Sequence, residues 1–457
     1  MALQHFDVVI IGAGQAASPL ATALARQGRT VALVEATHLG GSCVNFGCTP
    51  TKAVIASARV AHMARRAGDY GIDVSGVKPD FAKVIARARA IVAHSRTALE
   101  EHLADEDNPR LIRGWCRFEG RDDTRFRLCA GDARFSADTV VLDTGTRTRV
   151  PRLDGLEDVP ALCAENWLAH DELPEHLAIV GAGYIGLEMA QFYRRMGSEV
   201  TVIGSGQQVA RHEDPEVAQA VQAALEAEGV RFVLGAHAKG VSSSADGLQL
   251  RIGTEAGDRT LDASHLFIAT GRQPNTDDLG LDRIGLATGS KGVVDVDERL
   301  AASVPGIWAA GDVRGGPMFT HTAWDDHRIL LSQLLGDGSR TLQRVVPYAL
   351  FTDPELGRVG MTEGEARRDG RKIRVMRFDL KHNGRAREAG ETEGFVKVVV
   401  DDATRQILGA AILGHEGAEL VHVFIALMNA QAPYSVLEQA IQIHPTYAEA
   451  LQSAVSG

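Results

Sequence analysis

One pattern restricts the fold of this chain more than any other: an apolar run that ends in a glycine turn and opens a helix, and it occurs twice. In the first copy the apolar run is 6–11 and the turn reads Gly12-Ala-Gly14-Gln-Ala-Ala17. A helical pattern continues to Gln27-Gly28, and a second apolar run over 30–34 ends in Glu35. Strand, glycine turn, helix, strand and an acid about 20 residues after the glycines make a dinucleotide-binding βαβ unit. Gly12 permits the tight turn, and Gly14 lets the backbone approach a pyrophosphate seated on the helix N-terminus. Ala17 takes the third position, where close helix packing tolerates alanine. The second copy begins about 170 residues later. It runs through 176–180, Gly181-Ala-Gly183-Tyr184-Ile-Gly186-Leu-Glu188, a helix to Met196-Gly197 and a strand over 200–203. Two such units predict two nucleotide sites, one for a flavin and one for a nicotinamide.

Directly after the first unit comes Gly40-Gly-Ser42-Cys43-Val-Asn-Phe-Gly-Cys48-Thr-Pro50-Thr-Lys52. Pro50, near a first turn, starts a helix to about residue 63. A zinc site would want a second Cys or His pair at ligand spacing, and none is nearby. Redox work suits the pair better, because the dipole of a helix stabilises a thiolate at its N-terminus, where Cys48 stands.

Residues 81–103 read as a charged scaffold helix, 111–142 as a small antiparallel section, and 151–174 as a linker. Strands run into glycine turns again at Asp143-Thr-Gly145 and at Ala269-Thr-Gly271-Arg272. Residues 307–310 lead to Gly311-Asp312, an acid at the strand end where open α/β sheets place ligands. Beyond about residue 344, strands over 345–351, 372–380, 395–400 and 407–413 precede helices from 419 onward, which indicates a separate α+β unit. Near its end, His444-Pro445-Thr-Tyr-Ala-Glu449 offers an acid–base group.

At 457 residues the chain exceeds one ordinary core, and roughly 100 to 200 residues per domain predicts about three domains. Hydrophobic content of 45% with 48 glycines and 5% aromatics suits an α/β protein and argues against disordered, collagen-like and all-β chains. A net charge of −11 argues against nucleic acid, which is bound by displacing counterions with Lys and Arg. No basic n-region precedes the first apolar run, and no segment reaches the roughly 18 apolar residues of a membrane helix. A soluble, cytoplasmic protein is expected. Five cysteines fit a reducing compartment, with Cys116, Cys129 and Cys163 read as packing or incidental surface.

Together, Gly12-x-Gly14, Cys43-x-x-x-x-Cys48, Gly181-x-Gly183-x-x-Gly186, Ala269-Thr-Gly-Arg272, Gly311-Asp312 and His444-Pro-x-x-x-Glu449 resemble the class I pyridine nucleotide-disulfide oxidoreductases. Glutathione reductase, dihydrolipoamide dehydrogenase and mercuric reductase belong to that family, and the resemblance covers essentially the whole chain. It implies an α/β fold of two Rossmann-like domains, binding FAD in 1–150 and NAD(P) in 151–270. Residues 271–343 would complete the FAD site, and 344–457 would form a dimerisation domain. It also implies a homodimer whose active site is shared between subunits. By the same resemblance Glu35 binds the adenosine ribose and Asp312 the flavin ribityl chain, with Ser42, Gly145, Gly271 and Arg272 also at the cofactors. Lys52 and Glu188 pair beside the flavin, and Tyr184 covers the nicotinamide pocket. Cys48 is the thiol against the flavin, disulfide-linked in turn to Cys43, which faces substrate. His444, held by Glu449, comes from the partner subunit, and its bond to Pro445 is cis in relatives.

The second strand of the nicotinamide unit ends in Gly204 and Ser205, with Arg211 nearby, rather than in an acid. Missing acid plus available arginine favours NADPH over NADH. The places where glutathione reductases use serine and arginine are Gln15 and Thr22, with Arg328 at a second arginine, so a different low-molecular-weight disulfide is expected. The run 320–328 looks closer to the mercuric-reductase branch, but the chain end Gln-Ser-Ala-Val-Ser-Gly lacks that branch's cysteine pair, and His444 replaces its tyrosine. No protein-bound metal is expected. Disulfide reduction is therefore placed ahead of mercuric- or copper-type metal-ion reduction. A dihydrolipoamide dehydrogenase subunit and a catalytically silent flavin-binding protein are further alternatives.

Overall fold

The structure, a computed structural model, describes residues 3–104, 107–122, 124–245 and 247–456. Its first layer is a seven-stranded sheet. Strand β1 (Gln4–Ile11) leads through helix α1 (Ala17–Arg26) to β2 (Val31–Glu35), and two further helices follow: α2 (Gly41–Asn45) and α3 (Cys48–Arg65). After α4 (Phe81–Ala104) come β3 (Arg110–Arg113), β4 (Cys116–Asp122), β5 (Arg125–Ala130) and β6 (Ala133–Leu142). β1 sits between β2 and β6, parallel to both. Val9, Ile10, Val140 and Val141 are fully buried because helices or strands cover both faces. Burying each such side chain stabilises the fold by about 1.5–3 kcal/mol.

The antiparallel section expected over 111–142 is present as β4, β5 and β6, which extend the same sheet, while β3, at its start, is instead a parallel edge strand on β2. Cysteine-helix α3 starts at Cys48, two residues before Pro50, and runs on to Arg65. A proline in the first turn lacks only an N–H that has no intrahelical partner there.

The second layer has the same plan. The supposed linker 151–174 follows β7 (Thr146–Thr148) and contains β8 (Ala161–Cys163), so it is partly structured. Then come β9 (His176–Val180), α5 (Tyr184–Met196), β10 (Glu199–Ile203), α6 (Pro215–Ala227) and β11 (Val230–Val233). A three-stranded antiparallel sheet that the sequence reading did not anticipate, β12 (His237–Ser244), β13 (Gly247–Thr254) and β14 (Gly257–Ala263), precedes β15 (His265–Ile268). β15 lies in parallel between β9 and β8, which closes a five-stranded sheet. β16 (Arg272–Pro274) pairs with β7, and β17 (Ile307–Ala309) returns to the first sheet beside β6, followed by α7 (Thr320–Leu335).

The last unit is a five-stranded antiparallel sheet of β18 (Pro347–Leu350), β19 (Glu355–Gly360), β20 (Ile373–Asp379), β21 (Phe395–Asp401) and β22 (Ile407–Gly414), with helices after it. Buried charges tie it to the second unit. Arg195 bonds Glu228 and Asp353, and Lys397, only 2% exposed, reaches Asp214, Glu216 and Glu363. No helix among the described residues is long and apolar enough to cross a membrane.

Candidate active site

Close backbone approach builds the first glycine turn. Gly12 has φ +96°, and a Cβ there would lie 2.2 Å from the Asp143 carbonyl oxygen. A Cβ on Gly14 would lie 2.7 Å from Asp143 Oδ2, so a side chain of the protein itself imposes glycine at 14. That reason stands beside the expected one, approach to a pyrophosphate. The Gly40-Gly41 pair packs on the same turn: Gly40 N donates to Ala13 O at 2.8 Å, and a Cβ on Gly41 would sit 3.0 Å from Gly14 Cα. Glu35, at the end of β2, accepts from Ala13 N at 2.8 Å and Thr37 N at 2.7 Å. Its carboxylate thus braces the turn.

At the other edge Thr146 donates to Asp312 Oδ2 at 3.0 Å, and Arg272 holds Thr146 Oγ1, Thr146 O and Glu165. Burial raises the Asp312 pKa. Gly145 has φ +63° with open space where a Cβ would stand, and Thr144 Oγ1 is buried without a partner. An open cradle of backbone, an orphaned hydroxyl and two acids at strand ends fit a flavin dinucleotide. Ser42 lies beside it on α2, where its carbonyl accepts from Phe46 N and Gly47 N.

Cys43 is on α2 and Cys48 begins α3, so the break at Phe46-Gly47 folds one cysteine back onto the other. A Cβ on Gly47 would meet Ser42 O at 2.9 Å and Cys43 Cα at 3.4 Å. Asn45 and Trp167 hold the break: Asn45 Nδ2 donates to Leu39 O and Gly41 O, and Trp167 Nε1 donates to Phe46 O. Cys48 Sγ is 3.0 Å from Thr320 Oγ1. A hydrogen bond from Cys43, with help from Thr320 and Lys52, overcomes burial and lowers the Cys48 pKa to about 6. Giving that hydrogen bond, together with burial, pushes the Cys43 thiol up. Both cysteines are free thiols. Lys52, one turn along α3, bonds Glu188 at 2.8 and 3.0 Å and lies 4.5 Å from the centre of the Phe351 ring. Glu188 is 6% exposed and also accepts from Phe351 N.

In the second turn a Cβ on Gly181 would strike Ala269 O at 2.2 Å, one on Gly186 would strike Gly181 O at 2.0 Å, and one on Gly183 would meet nothing within 4 Å. Gly271, with φ +114°, ends β15's turn, and Arg149 is its nearest neighbour. Tyr184 caps this end: its hydroxyl donates to Glu213 Oε1 at 2.5 Å, beside a second bond from Tyr348 at 2.8 Å, and the two rings stack 5.8 Å apart. Arg358 pairs with Glu213 Oε2 at 2.9 Å. Tyr348 stacks in turn on Phe319, the residue before Thr320. Ser205 and Arg211 are exposed, and Arg211 forms no ion pair among the described residues.

Among the described residues, His444 bonds Glu449 and neither cysteine. Its side chain is 76% exposed, its Nδ1 is 2.9 Å from Glu449 Oε1, and its peptide to Pro445 is cis. The Glu449 hydrogen bond raises its pKa. Ile441 and Ile443, on the same segment, are 100% and 79% exposed.

The sequence reading missed Asp143, Glu213, Thr320, Tyr348 and Phe351. Their signal was weak because each acts through a fold neighbour distant in sequence. Among the described residues, two groups have metal-ligand spacing, His5–Asp7–Asp138 and Asp214–Glu216–Glu363. Neither includes the cysteines, and Lys397 reaches all three acids of the second.

Residues 6–326 match the family model for pyridine nucleotide-disulphide oxidoreductases, and 346–455 match that family's dimerisation domain. The chain is 34% identical to the probable pyridine nucleotide-disulfide oxidoreductase RclA of Escherichia coli, over 99% of both chains. It is 32% identical to a mercuric reductase of Streptomyces lividans, over 98% of this chain and 95% of the relative. The dihydrolipoyl dehydrogenase of Cupriavidus necator is also 32% identical, over 99% and 97%. Among solved structures, the Cu(II) complex of the HOCl-induced flavoprotein disulfide reductase RclA superposes with a TM-score of 0.88 at 33% identity, over 99% of both chains. With both family domains matched along its length, this chain belongs to the class I pyridine nucleotide-disulfide oxidoreductases, FAD- and NAD(P)H-dependent enzymes that carry a dimerisation domain.

Proposed function

We propose that the chain reduces a low-molecular-weight disulfide with NADPH, in the cytoplasm, through a dithiol whose two members differ in acidity. One observation carries the reading: a break in the chain sets Cys43 on α2 beside Cys48, which heads α3 with its Sγ 3.0 Å from Thr320 Oγ1 and Lys52 one turn along, so that the Cys48 pKa is lowered and the Cys43 pKa raised. Charge therefore rests on Cys48, and Cys43 becomes a nucleophile when a base removes its proton.

When bound, FAD supplies a two-electron relay between the nicotinamide and the disulfide. Two electrons open the Cys43–Cys48 disulfide to a Cys48 thiolate and a Cys43 thiol. With Nδ1 bonded to Glu449, Nε2 of His444 of the partner subunit is free to take the Cys43 proton. Cys43 then attacks one sulfur of the substrate; its S–S bond breaks, the departing sulfur takes that proton, and a mixed disulfide remains. Cys48 attacks the Cys43 sulfur, reforms the internal disulfide and releases the second thiolate. NADPH, a proton and one disulfide become NADP⁺ and two thiols.

Support for NADPH comes from Gly204, where a Cβ would sit 2.9 Å from both Ala182 Cβ and Leu234 Cδ2. An acidic side chain cannot enter there without displacing both, so the NAD-selecting carboxylate has no place at 204. The exposed isoleucines beside His444 suit burial against a second subunit, which would bring that histidine to its neighbour's cysteines. Cytoplasmic placement rests on the cysteine usage of the chain, five in 457 residues and odd in number, which suits a reducing compartment.

A second reading, copper- or mercury-type metal-ion reduction, is favoured by the Cu(II) complex of the RclA relative and by the mercuric reductase relative. Steady-state turnover of the purified flavoprotein with NADPH against a panel of thiol disulfides, lipoamide, Cu(II) and Hg(II) separates the two. Disulfide turnover that requires His444 supports the first reading. Turnover with metal ions alone overturns it.

A further inference from the structure

The two nucleotide units are built alike, and one difference between them lies directly behind the first glycine. In each, the strand that closes the turn ends with a residue whose carbonyl crowds the first glycine: Asp143 O against Gly12 and Ala269 O against Gly181, both 2.2 Å from the glycine's Cβ position. With alanine at 269, the space beside Gly183 is open. With aspartate at 143, the corresponding space is filled by a carboxyl 6% exposed. Its Oδ2 accepts from Ala17 N, the first residue of α1, at 3.0 Å. Its Oδ1 lies 2.8 Å from the Cβ position of Gly311, next to Asp312.

This carboxyl has acids around it and no cation against it. Glu35 approaches from β2, Asp312 from the segment after β17, and Asp326 from α7. α1 contributes one backbone N–H. Arg314 and Arg344 are both held by Asp326, and Arg272 faces Thr146 and Glu165. Asp143 forms no ion pair among the described residues. A diphosphate at the α1 N-terminus would add negative charge at the same place.

We propose that Asp143 is a positioning residue of the flavin site: a buried carboxylic acid that keeps its proton, fills the space behind the Gly12–Gly14 turn and ties flavin retention to pH. The uncharged acid accepts from Ala17 N on one oxygen and holds its proton on the other, at no electrostatic cost to the diphosphate. Ionised, it would add a negative charge beside Glu35 and Asp312, behind that diphosphate, with no cation against it. Burial among these acids raises the Asp143 pKa well above the ordinary carboxylate range. Bound FAD raises it further. Between the two values flavin release is linked to loss of one proton, so retention is complete at low pH and falls as pH rises.

The inference rests on FAD occupying the first turn. It is tested on the full-chain holoenzyme by following flavin fluorescence on dilution across pH, for the wild type and Asp143→Asn. The wild type should release flavin faster as pH rises, with a limiting slope of roughly tenfold per pH unit for one linked proton. Asp143→Asn, uncharged and nearly isosteric, should show a flat profile. A second measurement needs no variant: the wild type should release one proton into weakly buffered solution with each flavin lost in the sloping range. Parallel profiles for wild type and variant, or no proton release, overturn the proposal. A wild type that holds no flavin at any pH overturns instead the assignment of FAD to this turn.

Discussion

A cysteine at the head of a long helix, facing a hydroxyl and an ammonium group, is more acidic than a free thiol, and Cys48 has all three neighbours. Its alkylation rate with iodoacetamide should rise through about pH 6 in the two-electron-reduced protein, well below the ordinary thiol range near 9. Because folded Cys48 is the stronger acid, its contribution to stability is complete above the ordinary thiol range and is lost as pH falls through about 6. Thr320→Val removes one hydrogen bond to that charge, worth about 1.5–3 kcal/mol, and should move the alkylation profile upward by about one to two pH units. A profile unmoved by the substitution would show that Thr320 does not act on Cys48. The cysteines, Lys52 and Glu188 were legible in the chain because a motif names them by spacing. Thr320 was not, because it lies 272 positions from Cys48 and only the return of α7 to the first sheet brings it there.

At the scale of elements, Glu213 joins three of them. Its side chain is fully buried between Tyr184 of α5, Tyr348 of β18 and Arg358 of β19. Glu213→Ala leaves the Arg358 guanidinium, 2% exposed, without a counter-ion, and should cost about 3–5 kcal/mol in urea unfolding. A loss below about 1 kcal/mol would mean that the pair breaks even with solvent. The same contrast explains which elements could be read from sequence. Strands β1, β2, β9 and β10 and their helices were legible, because apolar runs and glycine turns are local signals. β3, β8 and the β12–β14 sheet were not, because their short or polar sequences become strands by pairing with distant partners. Position 14 was legible as glycine-dependent from its motif, whereas the crowding group, Asp143, was not, because it lies just past β6, far along the chain.

For the whole molecule, the dimerisation domain supports a homodimer, and the proposed role of His444, exposed beside Ile441 and Ile443, puts the reaction between its subunits. A two-fold dimer of one Cys43→Ser chain and one His444→Gln chain then holds one intact site and one doubly damaged site. Such heterodimers should recover about half the wild-type turnover, although both homodimers are impaired. Heterodimers no more active than the homodimers would put His444 with the cysteines of its own chain. The division of labour between the two thiols is tested most directly by anaerobic titration of the holoenzyme with one two-electron equivalent of reductant, followed by absorbance and thiol counting. The account predicts two new reactive thiols per chain and a long-wavelength band from a thiolate against oxidised flavin, lost in Cys48→Ser and kept in Cys43→Ser. Bleaching of the flavin with no new thiols, or a band that survives in Cys48→Ser, would contradict it.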